Sequence, residues 1–485
     1  MSLTTSMNNA LSGLAAASRG AQVVSSNVAN ATTEGYGLRV LELSARANTG
    51  AGQGVKIDGV ARVVDQTLIS ERWLANASSQ EGERRLAAAD AIVSILGEPD
   101  QPGSLSQHIA SFEAALSLAV SRPDSAIRLT ELLRAAEGVT STFGRMTDET
   151  QTMREAADAE IGRLVEHLNV TLENVHELNG LILRARALGS DVPALLDERQ
   201  KQIDSISGIL PIRQVERDNG SIALYTPTGL ALLDLTPKSF EFTPTATITA
   251  EMTLASGGLS GLRLDGRDLI TPGDDRAIAG GALAAEFAIR DQDIPTFQLG
   301  LDALAADLIS RFSDPAMDAT ILPGDPGLFT DAGGAFDPTL IDGLAGRLSL
   351  NPAVDPAAGG ETWRLRDGIG AVAEGPSGDA TLLSALQDRL GARRPAAVAI
   401  DGLGDAGFPA MVDAILSRVS ADLGSREQQA AFHAVRFQTL DDDLRATGVN
   451  TDTEMQKLLL IERYYAANAK VIEAVDEMLG LLTRI

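Results

Sequence analysis

The sequence predicts a mainly α-helical fold with a β insertion, on three observations. Apolar stripes of helical period occupy both ends of the chain, residues 68 to 209 keep helical spacing almost unbroken, and the period changes to two from about 209 to 282. At 485 residues the chain is too long for one ordinary core, so two to four units are expected. Hydrophobic residues at 44 % and charged ones at 22 % give the composition of a folded globular protein.

The first helix is drawn from Met7, Ala10, Leu14, Ala17, Ala21, Val24 and Val28, a three-four alternation over three heptads. Ser, Thr, Asn and Gln crowd its other face, and Arg19 is its one charge before Glu34, so alone in water it should fray. Leu458, Ile461, Tyr465, Asn468, Ile472, Val475, Leu479 and Leu482 repeat the spacing at the other end. Each stripe has two options: to pack on its neighbouring domain, or to pair with the other. Their equal period favours an antiparallel coiled coil between the termini, with Asn468 as a polar seam residue that fixes register.

Between Leu38 and Asp65, alternating segments around TGAGQG read as a hairpin or short strand pair. Leu105, Ile109, Phe112 and Leu116 mark one helix, and Ser-Arg-Pro-Asp at 121 to 124 ends it. A stripe from Leu132 through Phe143, Ile161 and Val175 to Ile182 then predicts a rod-like helix of about 90 Å. Gly189 closes it, and Pro193 opens a shorter one. Around the Asp218-Asn219-Gly220-Ser221 turn the strands of a β-rich domain begin; helical spacing returns at Phe297 to Phe312. Residues 314 to 380, rich in Asp, Gly and Pro, read as an irregular insertion, and a long helix is expected over Phe408 to Ala446, beside the rod.

The resulting plan has residues 1–67 and 448–485 as terminal coiled coil with adjoining turn and strands, and 68–209 with 408–447 as helical rod. Residues 210–296 form a distal β-rich domain, and 297–407 a helix, the insertion and a further helix.

Chemistry is sparse. Without cysteine the chain can form no disulfide, thiolate zinc site or cysteine nucleophile. His108, His167, His176 and His433 are scattered, with no HExxH pair. No nucleophile elbow, phosphate loop or kinase signature occurs, so no catalytic residue, cofactor or metal is expected. A net charge of −26 disfavours nucleic acid and anionic membrane surfaces as partners. No apolar run is long enough to span a bilayer, and the N-terminus lacks the pattern of a cleaved signal peptide. Cytoplasmic residence is one reading; a dedicated export machine that reads an uncleaved N-terminus is the other.

At the end of the first helix, Ser26-Asn27-Val28-Ala29-Asn30-Ala31-Thr32-Thr33-Glu34-Gly35-Tyr36 resembles the N-x-x-N-x-x-T-x-G-Y turn of the bacterial flagellar axial proteins. Asn27 and Asn30 can cap backbone groups as the helix unwinds, Gly35 can take positive φ, and Tyr36 can anchor the return; Thr33 completes the pattern. Gly448 to Ile485 is similar to the C-terminal helix of the same proteins. Within them the long helical block, ending in Leu195-Leu196-Asp197-Glu198-Arg199-Gln200, resembles the LLDxRD segment of the FlgK-type hook-associated protein 1 family, with Gln200 in place of the acidic residue. The resemblance covers roughly 60 % of the chain, residues 1 to about 212 and 408 to 485.

It implies a structural adaptor at the hook-filament junction, exported by the flagellar type III system and found outside the cell in the flagellum. Implied partners are further copies of itself, the hook protein, a second junction protein on the filament side, and a cytoplasmic chaperone on the C-terminal helix. Absent cysteines suit passage through a narrow channel, and an almost uncharged first helix can be buried in a packed tube without stranded charge. The alternatives are the hook protein or another axial protein, and a cytoplasmic coiled-coil scaffold or enzyme.

Overall fold

The computed structural model describes residues 3–33, 35–48, 51–99, 101–269, 278–400 and 403–482. Helix α1 (Leu3–Ala29) leads into strands β1 (Leu38–Asn48) and β2 (Ala51–Val63), an antiparallel hairpin with register shifts after Glu42 and Ala45. Part of its expected TGAGQG turn, Thr49 and Gly50, lies outside the described residues. Asp65 caps α2 (Gln66–Leu96) by accepting from the Thr67 and Leu68 amides, and Ser104 caps α3 (Leu105–Ser121) through the Gln107 amide.

Helix α4 (Ala126–Ala187) has 62 residues, about 93 Å of α-helix. Leu132, Ala136, Val139, Phe143, Met146, Ile161, Leu168, Val175 and Ile182 of its predicted stripe are fully buried. Gly189 ends it at φ 65°, a conformation costly for any side chain with a Cβ, and α5 (Pro193–Ser207) follows.

Strands β3 (Arg213–Glu216), β4 (Ile222–Tyr225) and β5 (Ala231–Leu233) make one antiparallel sheet. Strands β6 (Phe240–Glu241), β7 (Arg263–Leu264) and β8 (Arg267–Asp268) make another. Helix α6 (Gly281–Ala288) runs through a π turn at Ile289–Asp293 into α7 (Ile294–Phe312). Then come β9 (Phe329–Asp331), α8 (Leu344–Arg347) and β10 (Leu348–Leu350), with β9 and β10 paired, followed by α9 (Arg364–Asp367) and α10 (Thr381–Gly391). Helices α11 (Phe408–Ala446) and α12 (Thr451–Leu482) complete the chain.

Two apolar cores are strung along α4. The first joins α3, the front half of α4, α7, α10 and the start of α11, and Phe112, Phe312 and Phe329 meet edge to face in it with centroids 5.3 to 6.0 Å apart. The second joins Trp73 of α2, Ile161 to Val175 of α4, α5, and the inner residues of β4, β5 and β6. A polar layer separates them. Buried Arg154 donates to the carbonyls of Met252 at 2.6 Å, Thr249 at 3.0 Å and Arg290 at 3.1 Å, while buried Arg290 pairs with Asp158 at 2.5 Å. With every guanidinium nitrogen of both residues hydrogen-bonded, burial of these charges becomes tolerable.

Three features differ from the sequence expectation. The β-rich segment does not stand apart as a distal domain: it lies along the rear half of α4 because Ile222, Leu224, Leu232, Leu233 and Phe240 fill the second core. Its strands are short, of two to four residues each. Residues 314 to 380 are not a mere insertion, since Phe329, Leu344, Val354 and Leu365 are buried in the first core. Helix α11 packs chiefly on α2, not α4. The reason is a seam of small residues: a Cβ on Gly82 would stand 3.2 Å from the Ala430 Cα. Charges flank it, Arg72 Nε on Asp441 at 2.6 Å and both Arg85 and Arg426 on Asp293.

Candidate functional site

Helices α1 and α12 lie antiparallel, with contacts that recur every seven residues. Gly13 faces Asn468, Gly20 faces Ile461, and Asn27 faces Glu454, so numbers on one helix rise by seven as those on the other fall by seven. The glycines set the distance between the axes. A Cβ on Gly13 would sit 2.7 Å from Asn468 Oδ1, and one on Gly20 would sit 3.2 Å from Ile461 Cδ1, so a larger residue must displace those side chains or part the helices. On its other side α1 carries the hairpin: Ser12 Oγ accepts from the Val55 amide at 3.0 Å, and Leu41 lies 3.8 Å from the space above Gly20.

The turn after α1 is organised by Asn27, which is fully buried and has all its hydrogen-bonding capacity used. Its Nδ2 donates to the Arg39 carbonyl at 2.9 Å and to Glu454 Oε2 at 2.8 Å; its Oδ1 accepts from the Arg39 amide at 3.1 Å and from the Tyr36 hydroxyl at 2.9 Å. One side chain thereby joins α1, β1, the return of the turn and α12. Lys457 Nζ neutralises Glu454 from 2.6 Å on its other oxygen. Asn30 caps the helix through Nδ2 to the Ser26 carbonyl at 2.9 Å and accepts from Thr33 Oγ1 at 3.3 Å. Gly35 takes φ 77°, and the Arg39 guanidinium lies over the Tyr36 ring at 4.7 Å.

A second clamp fixes the hairpin to α5. Asp197 accepts from the Gly37 amide at 3.0 Å, Arg62 Nε at 2.7 Å and Arg39 Nη2 at 3.3 Å. Arg199, two residues on, donates to Asn179 Oδ1 at 2.9 Å and the Gly220 carbonyl at 3.0 Å, holding the β3–β4 turn on α4. Arg19 reaches Asp191 at 2.5 Å and ties α1 to the start of α5. Below it, burial behind Trp73 pushes the Asp204 carboxyl up from its ordinary range, although Trp73 Nε1 donates to it at 2.5 Å.

Of the stripe residues predicted on α1, Ala10, Ala17 and Val24 are buried, while Met7, Leu14, Ala21 and Val28 are half-buried. On α12, Val475 is buried and Leu458, Ile461, Asn468 and Ile472 are half-buried, whereas Tyr465, Leu479 and Leu482 are exposed. The face of closest approach on α1 is turned from the predicted stripe, onto Gly13, Gly20 and Asn27, because the partner needs room and not volume. An open groove of about 920 Å³ runs beside the contact, between Ala17, Ala21 and Ala29 on one wall and Leu458, Ile461 and Tyr465 on the other. Helix α12 also exposes Leu460, Tyr464, Val471, Met478 and Leu481, spaced four, seven, seven and three residues apart, a further apolar stripe facing water. Sequence reasoning missed Gly13, Gly20 and Glu454; two glycines seven apart in a helix were the available signal.

Among the described residues no group of His, Asp and Glu is placed to hold a metal, and no helix is long and apolar enough to cross a membrane. His167 is exposed on α4, and His108 is half-buried against Gly138, its pKa lowered by burial and by Arg145.

The family model for the flagellar hook-associated protein FlgK helical domain matches residues 89–329, that for the flagella basal body rod protein residues 7–36, and that for the flagellar basal body rod FlgEFG protein C-terminal region residues 444–485. The chain belongs to the FlgK-type hook-associated protein family. The terminal matches fall on α1 with its turn and on α12. Flagellar hook-associated protein 1 of Bacillus subtilis is 22 % identical over 489 residues, covering 93 % of this chain and 92 % of that one. The protein of the same name from Salmonella typhimurium is 26 % identical over 323 residues, 63 % of this chain. The alignment spans 55 % of that relative's length. A solved flagellar hook junction protein FlgK from Burkholderia pseudomallei is similar over 54 % of this chain and 46 % of that one, at 16 % identity and a TM-score of 0.44. The family is one of structural flagellar proteins, not enzymes.

Proposed function

We propose that this chain is a structural adaptor joining flagellar hook to filament, and that α1 and α12 are the elements that assemble it. The observation that carries this reading is an incomplete interface: the terminal pair is closely packed on one seam, yet leaves an open groove and a full apolar stripe of α12 in water. Such surface is normally covered, and further copies of the same helices, arranged as a coiled-coil tube, have the right period to cover it. The hook protein on one side and a second junction protein on the other are the axial neighbours that complete the contact. Until then a cytoplasmic chaperone on α12 keeps the stripe from associating, and the flagellar type III channel delivers the chain outside the cell. The absence of cysteine and the almost uncharged first helix suit that route.

The test is a deletion strain, in which hooks should form without filaments and flagellin should appear in the medium. Complementation with Leu14→Asp or Ile472→Asp should restore secretion of the adaptor but not filament attachment, because each puts an unpaired carboxylate at a half-buried seam position that further copies would bury completely. Filaments on hooks in the deletion strain would refute the reading.

A further inference from the structure

Between the end of α4, the start of α5 and strands β2 and β3 lies a cavity of about 320 Å³ lined by Arg62, Arg186 and Arg199. Glu216 is the acidic residue on its wall, so three positive charges face one negative in a chain whose overall charge is −26. Among the described residues neither Arg186 nor Arg199 is held in an ion pair. Arg199 is 6 % exposed and gives its hydrogen bonds to two neutral oxygens, both from Nη1; Arg186 lies over Gly220 with no ion pair among the described residues. Arg62 holds Asp197 through Nε at 2.7 Å, leaving its other nitrogens. Gln66 brings a buried Nε2 that has no acceptor to the same wall. The cost of the arrangement shows on Arg199, whose pKa is lowered to about 10 by burial first and by Arg186 and Arg62 next, despite attraction from Glu216.

A buried guanidinium and an orphaned amide donor on one cavity wall are what an acceptor-only guest would satisfy. We infer that this cavity binds an oxyanion, held by Arg186, Arg199 and Gln66. An apolar guest would leave these donors unpaired. Two sources share the chemistry: a free phosphate or polycarboxylate, and a carboxylate side chain of another copy of the chain.

Both are tested on the purified full-length protein at fixed ionic strength. In the first arm, phosphate and citrate are titrated calorimetrically with chloride as control. In the second, self-association is measured by sedimentation with and without citrate. The expected result is one saturable site for phosphate or citrate, or self-association that citrate displaces, weakened about tenfold in Arg186→Gln, the loss of one charge-assisted contact. Gln66→Leu should weaken the same readout; since Nε2 has no partner to lose, that variant tests the site even if Arg186→Gln folds poorly. Binding in neither arm, a response that chloride reproduces, or one that both variants leave intact would overturn the assignment.

Discussion

Replacing Asn27 with alanine removes four hydrogen bonds at once from a site with no access for water. Three are neutral bonds worth about 1 kcal/mol each, and the one to Glu454 is worth about 2 kcal/mol because its acceptor is charged. Some of the stranded groups will rehydrate as the turn relaxes, so a net loss of about 4 kcal/mol is expected, a change of roughly a thousandfold in the opening of the terminal region. The loss is local, because Asn27 joins α1, β1 and α12 and touches neither apolar core. Hydrogen exchange of the intact chain reads it directly: amides of α1 and β1 should lose protection, while those of α3 and α7 keep theirs. Asn27→Asp adds a control of sign. It places a second carboxyl 2.8 Å from Glu454 Oε2, and two such groups resist simultaneous ionisation, so this variant should be less stable at pH 8 than at pH 5. If α1 in Asn27→Ala stays within tenfold of wild-type protection, the central role given to Asn27 is wrong.

Gly20→Val should separate α1 from α12 and cost about 1 to 3 kcal/mol of terminal stability, visible as earlier melting of the terminal helices with unchanged melting of the cores. Asp302, which accepts from the Gly343 and Ala345 amides and from Gln298, has its pKa raised to about 6 by burial. A carboxyl raised in the folded state favours folding most below its unfolded pKa, near pH 4. That share is lost as pH rises through about 6, so Asp302→Asn should flatten denaturant stability between those limits. Phe329→Ala should cost about 3 to 5 kcal/mol by chemical denaturation, since the ring bridges Phe112 and Phe312 from a segment poor in secondary structure. A loss under 1 kcal/mol would mean that residues 314 to 380 are loosely attached.

How much of this was legible depended on whether side chains speak through volume. The stripe of α4 could be followed from Leu132 to Ile182 because large apolar residues recur on one face, and its first gap, between Met146 and Met153, is where buried Thr150 and Arg154 mark the polar layer. The turn at Asn27 was legible as a pattern, but its reach to Glu454 was not: the two are 427 residues apart and neither is apolar. Gly13, Gly20, Gly82 and Ala430 define helix contacts by what they lack, and periodicity of bulk cannot find an absence. Val354, Leu365 and Ile369 sit singly among Asp, Gly and Pro, so no period announced that they close a core. The short strands β6 to β8 bury Phe240 and Leu264 by packing on α4, which local alternation could only describe as a separate sheet.

Because α4 contributes residues to both apolar cores, no hinge lies between them along this helix. A push on the first core passes to the second as axial compression of a continuous hydrogen-bonded column, which yields by slight curvature and not by swinging about a loop. Arg154 then works as a dowel. Its bonds to Thr249, Met252 and Arg290 pin two crossing segments to the middle of the column, where sideways slip between the cores would otherwise begin. Twist applied at one core is thereby delivered to the other through the helix itself and not through a connecting loop.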